Sequence, residues 1–208
     1  SKGAAELIIN SYFHSFLKSQ ASNVRLAIGR AGNVIGGGDW AKDRIVVDCM
    51  NAWSEGEQVE TRAPMATRPW QHVLEPISGY LSLGAELNQN SELHGEAFNF
   101  GPRAEQNRTV EELLIDLSKH WNFKDHNNVY KITGDIPFHE AGLLKLNCDK
   151  ALFFLNWQAI LTYAETIKLT SEWYYDFYKT DKNILDVTMD QIEEYENLAK
   201  EKGFKWTE

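Results

Sequence analysis

The stretch Arg30-Ala-Gly-Asn-Val-Ile-Gly-Gly-Gly-Asp-Trp40 holds the densest set of residues able to meet a ligand. Arg30, Asn33, Asp39, Lys42 and Arg44 crowd hydrogen-bond donors and acceptors around a run of three glycines. Lacking Cβ atoms, such a run lets a backbone come close to a bound molecule. No Gly-Lys-Ser or Gly-Lys-Thr follows, so this is not the phosphate loop of nucleoside triphosphatases. Alone it reads better as a glycine-rich surface turn. Its position between an apolar strand at 24–28 and a helix beginning near Asp43 raises it to a candidate site, because open α/β sheets bind ligands where their strands end.

The charge pattern points the same way. Arg25, Arg30, Arg44, Arg62, Arg68, Arg103 and Arg108 are the seven arginines, and all lie in the first 108 residues. The guanidinium fork suits phosphate oxygens better than an ammonium does. In a chain of net charge −9 this fits a small phosphorylated ligand held locally and argues against broad nucleic-acid binding. Chance segregation of seven residues is the competing explanation. A metal site is not expected: the six histidines are scattered and no His-Glu-x-x-His occurs. Cys49 and Cys148, far apart, suggest neither a zinc knuckle nor a disulfide framework and fit a reducing cytoplasm. No apolar run is long enough for a membrane helix. An apolar content of 43% and an aromatic content of 12% supply a real core.

The elements that must carry these residues alternate between helix and strand, which argues an α/β fold. Helical spacing runs from Ala4 through Tyr12, Phe13, Phe16 and Leu17. Ile45, Val46, Cys49, Met50 and Trp53 mark one face of the next helix, and Ile77, Tyr80, Leu81 and Leu87 mark that of a later one. Strands are expected at 58–62, 97–100, 129–133 and 143–146, extended chain at 69–73, and a short helix at 149–155. Thr109-Val-Glu-Glu112 is a capping box opening a helix whose buried face is Leu113, Leu114, Leu117 and Trp121. Thr162-x-x-Glu165 and Thr188-x-x-Gln191 predict two more, and Gly203 is the expected terminator of the last helix.

Four stretches carry a family resemblance: Ser1-Lys2-Gly3-Ala4-Ala5-Glu6, the segment 30–40, Thr67-Arg-Pro-Trp-Gln-His-Val73, and His139-Glu140 with Leu144-Lys-Leu-Asn-Cys-Asp-Lys150. The aromatic ending Glu172-Trp-Tyr-Tyr-Asp-Phe-Tyr178 adds to it. The chain resembles the extended short-chain dehydrogenase/reductases that modify nucleotide sugars. Its Gly-Gly-Gly-Asp-Trp form is similar to the dehydratases of CDP-glucose, where dTDP-glucose dehydratases and UDP-galactose epimerases usually carry Tyr-Gly-Pro.

The resemblance implies the C-terminal portion of such an enzyme, without the glycine fingerprint and the catalytic Tyr that the family carries upstream. It implies NAD as cofactor, CDP-glucose as substrate, CDP-4-keto-6-deoxyglucose as product and a homo-oligomer. A surface-polysaccharide pathway follows from the family alone. Residues 1–57 would end the Rossmann-type parallel sheet, and 58–208 would form mainly an interwoven substrate lobe. Lys2 inherits the role of the lysine that holds the nicotinamide ribose and lowers the tyrosine pKa. The segment from Arg30 through Ala31, Gly32 and Asn33 would pass under the nicotinamide, with Asn33 reaching a substrate phosphate. Arg44 would lie near the nucleotide, Arg68 on the diphosphate with Arg103 assisting, and His139 and Glu140 at the ribose. The bland alternatives are a frayed lysine, a turn asparagine, solvated arginines and a loop pair. Two other functions remain: another nucleotide-sugar dehydratase or 4-epimerase, and a non-catalytic nucleotide-sugar binding module.

Overall fold

In the computed structural model, the described residues are 2–19, 23–103, 106–121, 123, 125–133, 145–204 and 206. The first half runs α1 (Lys2–Tyr12), β1 (Ile28–Ala31), β2 (Val34–Ile35), α2 (Ile45–Ser54), β3 (Val59–Thr61), β4 (Thr67–Pro69), β5 (Gln71–His72) and α3 (Leu74–Gln89). Then follow β6 (Ala97–Phe100), β7 (Asn107–Thr109), α4 (Val110–Ser118), β8 (Tyr130–Ile132), α5 (Asp149–Leu155), α6 (Tyr163–Lys179) and α7 (Ile184–Glu201).

Strands far apart in sequence pair in parallel. β1 takes β6 in register from Ile28 opposite Ala97 to Ala31 opposite Phe100. β2 pairs with β5, and β3 with β8, also in parallel. Only β4 and β7 run antiparallel among the described residues, setting Arg68 opposite Arg108. Parallel partners need long crossovers, and here helices make them. Gln71 stitches two ladders together, its Nε2 donating to Phe100 O at 3.0 Å. The result is the mixed α/β architecture with parallel pairing that the alternation of elements predicts.

Two aromatic-rich cores hold the layers. The larger packs Cys49, Met50 and Trp53 of α2 against Leu113, Leu114 and Leu117 of α4 and Ile167, Trp173 and Tyr174 of α6. Trp53 Nε1 donates to Val129 O at 2.9 Å, so its polar atom is satisfied inside that core. The second gathers Phe98 and Phe100 of β6 with Leu83, Leu93 and Trp157. Burying each such side chain is worth roughly 1.5–3 kcal/mol. Both threonine capping boxes at 109 and 162 form, with hydroxyl and carboxylate each satisfying a free N–H. Gly203, at φ 73°, follows α7 in the left-handed conformation expected of a terminator.

Several expectations change. The first strand pairs at 28–31 rather than 24–28, because the ladder opposite begins only at Ala97. The inward face of α3 differs from the expected one: Glu75, Pro76, Ser78, Gly79, Ser82 and Leu83 are buried and Leu87 packs on the second core, while Ile77, Tyr80 and Leu81 are exposed. Small side chains allow α3 to lie close on the sheet; a Cβ at Gly79 would come within 2.3 Å of Phe100. Thr188 caps nothing. Asn183 caps α7 one turn earlier, while the Thr188 hydroxyl donates to Ile184 O and accepts from Trp173 Nε1. Lys145 and Leu146 are irregular rather than strand, and positions 143–144 lie outside the described residues.

Candidate functional site

A cleft of about 1040 Å³ runs along β1 and β2, lined continuously from Ile28 to Gly36. Lys2, Ala31, Gly32, Asn33, Arg44 and Arg68 all line it. Four separate chain segments thus deliver six of the candidate residues to one concavity. Arg103 is exposed and is not among the lining residues. His139 and Glu140 lie outside the described residues.

The glycine run serves a purpose different from the one its composition suggests. A Cβ on Gly37 would sit 2.0 Å from Cδ2 of Trp173, and one on Gly36 would sit 2.8 Å from Val73 Cγ1. Gly38 has φ 79°. The bend is therefore built to pack on α6, although Gly36 also lines the cleft. Trp40 completes the contact, its ring 4.8 Å from that of Phe177 and 5.7 Å from that of Tyr174. The Tyr174 hydroxyl donates to Asp39 O at 2.8 Å and accepts from Asp39 N at 3.2 Å. Burial pushes its pKa up to about 12, so it stays a phenol at any ordinary pH.

Charges along the wall are already partly paired. Arg44 Nη1 reaches Asp39 Oδ2 at 2.6 Å, and the other Asp39 oxygen accepts Ala41 N at 3.0 Å. Arg30 grips Glu6 through two bonds of 2.7 and 2.6 Å. That hydrogen-bonded fork lowers the Glu6 carboxyl and raises the guanidinium. Asp48 moves the other way: burial and the neighbouring Asp43 raise its pKa. Asp43 itself holds φ 62°, a conformation Asp tolerates better than most residues. Arg68 donates Nη1 to Thr67 O at 2.8 Å. Cations from β4 and the approach to α2 therefore face one cavity together with carboxylates, a set suited to a phosphate group and sugar hydroxyls in one ligand.

Sequence reasoning missed Glu6, Asp48, Tyr80 and Tyr174, all of which line the cleft. Glu6 left a signal, standing four residues after Lys2 and hence on the same helical face. Tyr174 left none beyond membership of an aromatic stripe. Among the described residues, no group of His, Cys, Asp and Glu is arranged to hold a metal ion, and no helix is long and apolar enough to cross a membrane.

No family model matches the chain. CDP-glucose 4,6-dehydratase of Salmonella typhimurium is 40% identical over 177 residues, which are 84% of this chain and 48% of that protein. The chain thus spans about half the length of the curated relative it matches. Among solved structures, UDP-glucuronic acid 4-epimerase from Bacillus cereus, in complex with UDP-glucuronic acid and NAD, superposes with a TM-score of 0.69 at 15% identity. That match covers 84% of this chain and 51% of the epimerase. dTDP-glucose 4,6-dehydratase from Streptomyces venezuelae, with NAD bound, gives 0.69 at 16% identity over 85% of this chain and 49% of its own. The sequence likeness to a curated nucleotide-sugar dehydratase and the fold shared with these nucleotide-sugar enzymes agree with one another.

Proposed function

We propose that the chain contributes the nicotinamide end and the substrate wall of an NAD-dependent nucleotide-sugar 4,6-dehydratase acting on CDP-glucose. The observation that carries this is the convergence of Lys2, Asn33, Arg44 and Arg68 on one cleft along β1 and β2. The 40% identity to a CDP-glucose dehydratase supports the choice of nucleotide. Residues 1–57 would then close the cofactor sheet and 58–208 would form mainly the substrate lobe, with β6 returning to pair with β1.

The lining residues suit the nicotinamide end of NAD. Lys2 offers an ammonium, Asn33 an amide, and residues 31–33 a backbone edge. No G-x-G-x-x-G occurs in the sequence, so these residues provide no fingerprint for the dinucleotide diphosphate. When bound, NAD would supply the hydride acceptor and donor. In the reaction so read, hydride and the hydroxyl proton leave C4, giving a ketone that acidifies the C5 proton. Water departs across C5 and C6. Hydride then adds to C6 and a proton to C5, giving the 4-keto-6-deoxy sugar. Arg68 would hold the diphosphate by a charged fork, Asn33 would donate to a phosphate oxygen, and Lys2 would steady the nicotinamide ribose.

Product analysis by mass spectrometry and proton NMR, with nucleotide-sugar binding read by titration, on the natural polypeptide in full, given CDP-glucose and NAD, tests the proposal. Loss of one water from CDP-glucose supports it. Turnover without loss of water makes the enzyme an epimerase. Nucleotide-sugar binding without any turnover makes it a binding module.

A further inference from the structure

Helix α1 reaches the cleft with little apolar support from the described residues. None of its residues is buried, and Leu7, Ile8 and Tyr12 face solvent. At its far end the chain widens into a π-helical turn, Phe13–Leu17, which buries Phe13. The Phe13 ring meets His94 edge-on at 4.8 Å, and His94 Nε2 lies 2.9 Å from Leu17 O. That anchor fixes one end only.

The cleft end is held by Arg30. Its Nε donates to Glu6 Oε1 at 2.7 Å and its Nη2 to Glu6 Oε2 at 2.6 Å. Its Nη1 reaches Asn99 Oδ1 on β6 at 3.4 Å, and Asn99 Nδ2 donates to Asn147 O at 2.9 Å. A bidentate fork fixes the orientation of a carboxylate as well as its distance. Lys2 and Glu6 stand four residues apart and so share a face of the helix. Whatever fixes the rotation of Glu6 about the helix axis therefore fixes that of Lys2.

The geometry points to Arg30 as a positioning residue that clamps Glu6, sets the rotation of α1 and thereby aims Lys2 into the cleft. This rests on the reading of Lys2 given above. A purely stabilising pair would behave differently. The Arg30 and Glu6 side chains are 42% and 30% exposed, and ion pairs so open to water add little to stability. Loss of the fork should therefore disturb ligand geometry more than folding.

NADH affinity, read by fluorescence on the natural polypeptide in full, tests this alongside the thermal midpoint and CDP affinity. Arg30→Gln and Lys2→Ala are each expected to weaken NADH binding about tenfold, or ~1.4 kcal/mol. Arg30→Lys should fall between Arg30→Gln and the parent, because an ammonium keeps the charge and loses the fork. CDP affinity and the thermal midpoint should stay close to those of the parent. Should Arg30→Gln not fold, Arg30→Lys and Glu6→Gln carry the same comparison. A lowered midpoint with parental NADH affinity in the Arg30 variants, while Lys2→Ala still weakens NADH, overturns the positioning role and leaves the reading of Lys2 intact. Parental NADH affinity in Lys2→Ala removes Lys2 from the cofactor site, and the inference falls with it.

Discussion

Gly37 and Trp173 are in contact so close that no other residue fits at 37. A Cβ there would fall 2.0, 2.2 and 2.5 Å from Cδ2, Cγ and Cε2 of the indole. The indole cannot swing aside freely, since its Nε1 donates to Thr188 Oγ1 of α7 at 2.9 Å and its ring stacks on Phe177. Gly37→Ala is therefore expected to lower stability by roughly 1–3 kcal/mol, the usual cost of overpacking a filled core. Urea unfolding checks it. A stability equal to the parent would mean that the bend does not rest on α6.

The same bend is tied by Tyr174, which bonds both backbone groups of Asp39. Tyr174→Phe removes the hydroxyl and keeps the ring that packs on Trp40 and Trp173. It leaves an N–H and a C=O without that partner, a loss of about 1–3 kcal/mol. Faster hydrogen exchange at the Asp39 amide than in the parent is the expected local sign. Unchanged exchange there would show that the hydroxyl is dispensable.

These contacts show where the sequence was legible. The capping boxes at Thr109 and Thr162, strand β6 and helix α5 depend on neighbours in sequence, and local patterns found them. The inward face of α3 depends on what lies across from it: apolar Ile77 and Leu81 face out because Gly79, Ser78 and Ser82 let the helix approach Phe100 closely, while Leu87 packs inward as its type suggests. Periodicity reads apolar faces and cannot see such a demand for small ones. The glycine run was rightly singled out as a place of close approach, yet the partner is Trp173, more than a hundred residues away. Residue types brought Arg44 and Arg68 forward as candidates. Only three-dimensional structure shows that Arg44 already faces Asp39.

Exposure sets the two arginines apart. The Arg44 charge is partly neutralised by Asp39 at 2.6 Å, and its side chain is 61% exposed. Arg68 lies on β4, half-buried at the cleft wall. Arg68→Ala is expected to weaken CDP binding by about 1.5–3 kcal/mol, the range for a charged hydrogen bond. Arg44→Ala should cost well under half of that, because an exposed, already paired charge has less to give. Isothermal titration with CDP ranks them. Equal losses would contradict the idea that Asp39 mutes Arg44.

Two buried groups, Glu75 and His72, make the largest opposing contributions to the pH dependence of stability between pH 4 and 7. Glu75 is enclosed between α3, the turn at 160–161 and α7. Its Oε1 accepts Ile160 N and Leu161 N, and its Oε2 accepts the Tyr195 hydroxyl at 3.0 Å. Despite these donors and the nearby Lys202, burial raises its pKa from 4.5 to about 7. The folded state then keeps a proton that the unfolded chain has released, so stability falls as pH rises from 4.5 to about 7. His72 is buried too, with no partner for Nε2 among the described residues, and burial lowers its pKa from 6.5 to about 4. Here the folded state refuses a proton that the unfolded chain takes up, so stability rises with pH from about 4 to 6.5. Each displacement is worth roughly 3 kcal/mol across its window. Between pH 4.5 and 6.5 the two slopes largely cancel. Single substitutions should unmask them: Glu75→Gln should gain stability as pH rises through this window, and His72→Gln should lose it. Chemical denaturation at pH 5 and pH 6.5 reads both slopes. Parallel slopes in the two variants would show that at least one of these groups does not titrate where its burial puts it.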